Sequence, residues 1–326
     1  MTAVVDSAAG RPERIVSLLP AATEIVAALG LEGALVGRSH ECDEPESVSG
    51  LPALTAAAID AAGTSRAIHE AVGAACTAAA GSPPALFRLD TDMLATLRPD
   101  VIVTQAACEV CAVSADDVTR AARSLGRPVP IVALAPTSLA DLWRDIRAVA
   151  AATGTLPRGR EVVARLQARC RSVACRVEAL ARSTGGSRPR VAVVEWLDPP
   201  MAAGNWVPEL VALAGGDDVL GRSGGHSHWI GWEDVARADP DVVILAPCGF
   251  TRDRTVAEAT TAPIWNHLAP LRATRAGRLF VVDGHHLLNR PGPRLVDSLE
   301  VIAQLLHPGR FAFPATQRHA ARLGDG

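Results

Sequence analysis

Two pairs of soft-donor side chains lie in the first half of the chain, His40-x-Cys42 and Cys108-x-x-Cys111. Thiolate and imidazole together suit zinc, iron or cobalt, and four such donors would close a tetrahedral shell. The same Cys-x-x-Cys is a redox dithiol if Cys108 opens a helix whose dipole stabilises the thiolate. A third reading treats the thiols as small buried apolar residues. Spacing leaves all three open. Further on, His285-His286 offers an imidazole that could ligate a metal axially. Neighbours on an extended segment point opposite ways, so only one of the two, taken as His286, would face a ligand. Trp196, Trp206, Trp229 and Trp232 are concentrated in the second half. Indoles suit the walls of a site for a large flat ligand, with ordinary core packing as the plain alternative. Trp206 fits either role, and Trp229, flanked by His228 in a polar stretch, is the better wall. Gln105 and Glu195 are polar residues where apolar runs end. Arg290 and Arg294 flank Pro-Gly-Pro and could anchor an anion, Arg294 reading just as readily as a helix-start residue.

These residues need elements to carry them. Apolar, β-rich runs alternate with helical patterns, which predicts parallel sheets with helices on their faces. Strands are expected at 14–19, 35–37, 101–104 and 131–134, then at 190–195, 242–245 and 279–282. Residues 51–88 read as irregular apart from a helix around 66–79. Helices are expected at 93–97, 115–125, 138–153 and 158–182, the last running unbroken for about 25 residues, or roughly 37 Å. A short helix, then Pro-Asp, then an apolar strand occurs twice, at 97–103 and 238–245. The fold class is therefore α/β, with two Rossmann-like lobes joined by a single long helix. The expected boundaries are a disordered leader (1–12), an N-terminal lobe (13–136), a helical connector (137–188), a C-terminal lobe (189–308) and a loose tail (309–326). His40, Cys42, Cys108 and Cys111 all follow parallel strands, so they are expected to converge at the carboxyl edge of the first sheet, at the mouth of a cleft.

Composition excludes several classes. The 32 basic residues are all Arg, and Tyr is absent. With no Lys, an internal Schiff base and a phosphate loop ending in Gly-Lys are both impossible. A net charge of −3 gives no footprint for nucleic acid. No apolar run reaches the roughly 18–20 residues of a membrane span. The polar opening residues do not read as an export signal, and seven Cys is an odd number, so the expected compartment is the reducing cytoplasm. No hydrolase elbow, dinucleotide fingerprint or His-Glu-x-x-His helix is present.

Six segments in order carry a resemblance. They are Arg14-Ile-Val-Ser-Leu-Leu-Pro-Ala-Ala-Thr-Glu-Ile-Val, Ser39-His-Glu-Cys-Asp, Leu97-Arg-Pro-Asp, Thr104-Gln-Ala-Ala-Cys-Glu-Val-Cys-Ala-Val-Ser, Asn205-Trp-Val-Pro-Glu and Asn289-Arg-Pro-Gly-Pro-Arg. Over about residues 13–308 the chain resembles class III substrate-binding proteins of ABC importers, whose lobes one helix joins. Among these it is most similar to the cobalamin-binding proteins and their signal-less relatives. The resemblance implies a small-molecule or metal-chelate ligand, such as cobalamin, another corrinoid or haem, held in a cleft. Gln105 and Glu195 would then bond the amide arms of a corrin, and Trp229 would stand near the Trp that helps hold cobalamin. It also implies an ABC permease as partner, met through one acid on each lobe, here Asp92 and Glu233. The plain alternative, and the one favoured in the absence of an export signal, is that both are helix N-terminal acids stabilised by the dipole. The alternative function is a cytosolic enzyme using the same scaffold, with a Cys/His centre holding zinc or iron, or a reactive thiol, in the cleft.

Overall fold

The structure is a computed structural model describing residues 12–79, 86–106 and 113–324. The expected leader and both Cys108 and Cys111 lie outside the described residues. Contacts divide the chain into two α/β units: residues 1–63, 70–136 and 140–165, and residues 64–69, 137–139 and 166–326.

In chain order the first elements are β1 (Ile15–Ser17), α1 (Pro20–Ala28), β2 (Leu35–Arg38), β3 (Thr55–Ala57), α2 (Ser65–Ala78), β4 (Phe87–Leu89), α3 (Thr91–Leu97), β5 (Val101–Gln105), α4 (Ala115–Arg123), β6 (Ile131–Leu134), α5 (Leu139–Ala152) and α6 (Leu156–Thr184). The first unit is built on a parallel sheet of order β2-β1-β5-β6. β1 and the first four residues of β5 are fully buried, as continuous apolar runs in a covered parallel sheet must be. Val16, Leu18, Leu54, Leu94, Ile102 and Val118 form its core. β3 and β4 pair antiparallel as a small separate ribbon inside the stretch expected to be irregular. Their three-residue length and Ala-rich composition hide the strand period.

The second unit follows with β7 (Arg190–Leu197), β8 (Pro200–Ala202), α7 (Val207–Leu213), β9 (Asp217–Asp218), β10 (His228–Trp229), α8 (Trp232–Ala238), β11 (Val242–Leu245), α9 (Arg252–Ala259), α10 (Ala262–Leu268), α11 (Arg272–Arg275), β12 (Leu279–Val282), a π-helical turn (Gly284–Leu288), α12 (Leu295–Leu306), α13 (Pro314–His319) and β13 (Ala320–Arg322). Its sheet has the order β10-β8-β7-β11-β12-β13, with β9 also paired to β7. Val194, Leu197, Val243, Leu245, Leu279 and Val281 supply one core face.

The tail expectation is corrected here. Residues 314–319 are helical, and 320–322 pair antiparallel with β12, Val282 opposite Ala320. Three residues with no apolar alternation give no strand signal, and the open edge of β12 recruits them. The long helix is observed as one unbroken element of 29 residues, Leu156–Thr184, whose residues after Arg165 cluster with the second unit.

The Pro-Asp repeat has a common structure in both units. α3 ends at Arg98 and α8 at Asp239, each left-handed, with φ 45° and 42°. The Asp after each Pro then ties two strands together. Asp100 donates its amide to Arg14 O at 2.7 Å and accepts the Arg14 amide on Oδ2. Asp241 donates to Arg190 O at 2.8 Å and accepts the Arg190 amide on Oδ2. The two Arg side chains also match: Arg14 bonds Leu97 O and Arg190 bonds Ala238 O, near the end of each helix.

Candidate functional site

In the second unit, β7 delivers Glu195 and Trp196 near its carboxyl end. Glu195 is 6% exposed. Ser227 Oγ donates to its Oε2, and the Gly204 backbone supplies a further hydrogen bond. Burial nevertheless dominates and pushes its carboxyl up to about 7, with the nearby Asp218 charge adding to the effect. Asp218 is itself raised to about 6 by burial, against hydrogen bonds from the Leu220 and Gly221 amides. The pair can thus keep protons at a pH where exposed carboxyls have lost them.

The loops around Glu195 approach closely. A Cβ on Gly204 would lie 2.2 Å from the Ser227 backbone nitrogen, so only glycine fits there. Asn205 takes φ 51° in the same turn and donates its amide to Gly225 O. That explains the first residue of the Asn-Trp-Val-Pro-Glu segment: asparagine tolerates the left-handed region.

The indoles divide by role. Trp196 packs edge-on against Phe250 at 5.3 Å and donates Nε1–H to Ser65 O at 3.1 Å. Trp206 is buried, and its Nε1–H donates to Leu288 O at 2.9 Å. Trp232 is buried and stacks on His267. Trp229, on β10 opposite Met201, is 54% exposed and meets the His69 ring in a T-shaped contact, with centroids 4.9 Å apart. Residues 64–69 are pinned within this unit. The Ser65 amide donates to Glu258, and Arg66 makes a two-point pair with Asp198.

The His285-His286 expectation is corrected. The segment is a π-helical turn, not extended, and the two rings meet edge-to-face at 4.6 Å. Asp283 caps this turn, accepting the His286 amide at 2.7 Å. No β-branched run holds the segment extended, and a Cβ on Gly284 would lie 2.1 Å from Pro247 O, so the turn also depends on glycine. His286 Nδ1 is 3.0 Å from Asp283 Oδ2. Arg290 is buried, with NH2 3.4 Å from His285 Nε2. Arg294 is the N-cap residue of α12.

In the first unit, Cys42 is buried, with Thr23 Oγ1 3.0 Å from its Sγ. His40 is held by Thr55, whose Oγ1 accepts the His40 amide at 3.0 Å and lies 2.7 Å from Nδ1. The convergence expected of these two with Cys108 and Cys111 falls on residues outside the description. Gln105 ends β5 opposite Leu134. Asp92 and Glu233 are both exposed in the first turns of α3 and α8, the helices of the repeated unit. Sequence reasoning missed Asp218, Ser227, Asp283 and His319. Asp283 had a signal, since it directly follows an apolar strand and precedes Gly-His-His. His319 had none, lying in the presumed tail.

A family described as periplasmic binding protein matches residues 15–285. No curated protein matches the sequence. Among solved structures, the chain is similar to a periplasmic heme binding protein from Pseudomonas aeruginosa, with 23% identity, TM-score 0.69, and 91% of this chain and 94% of that one covered. The periplasmic vitamin B12 binding protein of Vibrio cholerae matches with 20% identity, TM-score 0.64, and coverage of 91% and 98%. A periplasmic heme-binding protein from Roseiflexus sp. RS-1 in apo form matches with 24% identity, TM-score 0.64, and coverage of 91% and 99%.

Proposed function

We propose, from the premise that the chain belongs to the periplasmic binding protein family, that it binds a corrinoid or a related metal chelate of similar size. The observation that carries this reading is Trp229. A large indole more than half exposed, on a strand fixed to β8, is a ready apolar wall for a flat macrocycle. Glu195 supports it. A carboxyl raised to about 7 is partly protonated near neutrality, so it can donate to an amide oxygen or accept from an amide nitrogen, the groups a corrin periphery carries. The heme and vitamin B12 binding proteins among the solved neighbours are named for ligands of this kind. Asp92 and Glu233 would then be the acids that meet Arg residues of a permease. His286 is not needed for this reading, because its ring is turned toward Asp283.

The test is a spectroscopic titration of ligand-free protein with cyanocobalamin and, separately, with haemin. Saturable binding of one of them, weakened at least tenfold in Trp229→Ala, is expected. Saturable binding of neither by the wild type would overturn the reading.

A further inference from the structure

We propose that Asp283, His286 and His319 form a binding site for one divalent cation of the zinc class. One ligand atom from each of the three lies within 4.8 Å of the other two. Asp283 divides its carboxylate. Oδ1 accepts the His286 amide at 2.7 Å, and Oδ2 faces both imidazoles, 3.0 Å from His286 Nδ1 and 3.6 Å from His319 Nδ1. Zinc bonds of about 2.0–2.1 Å in a tetrahedron set neighbouring ligand atoms about 3.3–3.4 Å apart. The two observed spacings bracket that value, and the ligand atoms of the two histidines lie within 4.8 Å of each other.

The site is also held in advance. Asp283 donates its amide to His319 O at 2.8 Å, and the next residue pair, Val282 and Ala320, belongs to the β12–β13 ladder. The His286 backbone is fixed by the Asp283 cap. Both imidazoles are thus anchored to the same buried aspartate through backbone bonds. The Asp283 side chain is 6% exposed while those of His286 and His319 are 27% and 20% exposed. The cation would therefore meet the buried carboxylate from the more exposed imidazole side, where solvent would supply a fourth ligand. Two imidazoles and one carboxylate with an open position suit zinc or cobalt better than magnesium or calcium.

The experiment uses the full chain without a polyhistidine tag, stripped with chelator and free of any corrinoid or haem. Cobalt(II) is titrated in and followed by its visible absorption, and zinc is measured by calorimetry and elemental analysis. One saturating equivalent per chain is expected. His319→Gln should weaken binding by at least the roughly 10–100-fold seen when even a supporting residue of a metal site is lost. Asp283→Asn should do the same. Because Asp283 also caps the π turn, His319→Gln, with an unchanged circular dichroism spectrum, is the deciding variant. Cys42→Ser and Trp229→Ala should bind as the wild type does. No saturable binding by the wild type, or binding unchanged in His319→Gln, would overturn the site, whatever the outcome of the cyanocobalamin and haemin titrations.

Discussion

Glu195 couples stability to pH in an unusual direction for a carboxylate. Its folded value of about 7 stands above the 4.5 of the unfolded group, so the native state holds the proton longer. Stability is then fullest below about pH 4.5, falls as pH rises, and has lost this contribution above about pH 7. Glu195→Gln removes the ionisation. Its stability relative to wild type should rise by up to about 3 kcal/mol between about pH 5 and about pH 8, measured by urea unfolding at each pH. A difference that does not change with pH would show that the carboxyl ionises freely in the fold. At Gly204 the argument is steric. Gly204→Ala forces its new methyl against the Ser227 backbone, and should cost about 1–3 kcal/mol while disturbing the Ser227–Glu195 bond. Retention of full stability in that variant would mean the loop moves freely.

Among the elements, α13 and β13 decide more than their length suggests. They complete the edge of the second sheet and bring His319 to Asp283. A chain ending after Phe313 leaves β12 with an open edge. The lost ladder bonds should cost about 2–4 kcal/mol, and the exposed strand should promote association. Thermal unfolding and light scattering on the truncated chain check both, and a wild-type Tm with no association would mean that β13 merely rests on the sheet. The same truncation should abolish the proposed cation site. α6 is secured differently: Arg169 on it reaches Asp297 and Glu300 on α12 at once. Burial works against its charge, yet the two carboxylates prevail and leave the guanidinium more firmly protonated than usual.

Over the whole molecule, the two units repeat one device. A short helix ends left-handed, Pro-Asp follows, and the Asp clasps the backbone that opens the neighbouring strand, with an Arg from that strand reaching the helix end. Asp92 and Glu233 occupy the first turn of the repeated helix in each unit. If they are docking acids, Asp92→Ala with Glu233→Ala should abolish permease-stimulated ATP hydrolysis while leaving ligand affinity within twofold. Both are exposed, so folding should be unaffected. Unchanged stimulation in the double variant would reduce them to helix-dipole acids.

Much of this was written locally in the chain. Continuous apolar runs marked β1, β5, β7, β11 and β12, because a covered parallel strand has no polar face to hide, and β6 by its apolar composition although it lies at the sheet edge, only partly buried. The unbroken α6 was legible because nothing in 158–182 stops a helix after Gly159. The short elements β3, β4, β8, β9, β10 and β13 were not legible, since two or three residues carry no period and are recruited by the edges they meet. The same division holds for the chemistry. Residue type and local setting were enough to single out Glu195, where an apolar run ends, and Trp229, in a polar stretch. Which indole is exposed, which acid keeps its proton, and that His319 meets Asp283 from 36 positions away depend on burial and distance. Those quantities exist only once the sheet has closed and brought remote residues into one low-dielectric neighbourhood.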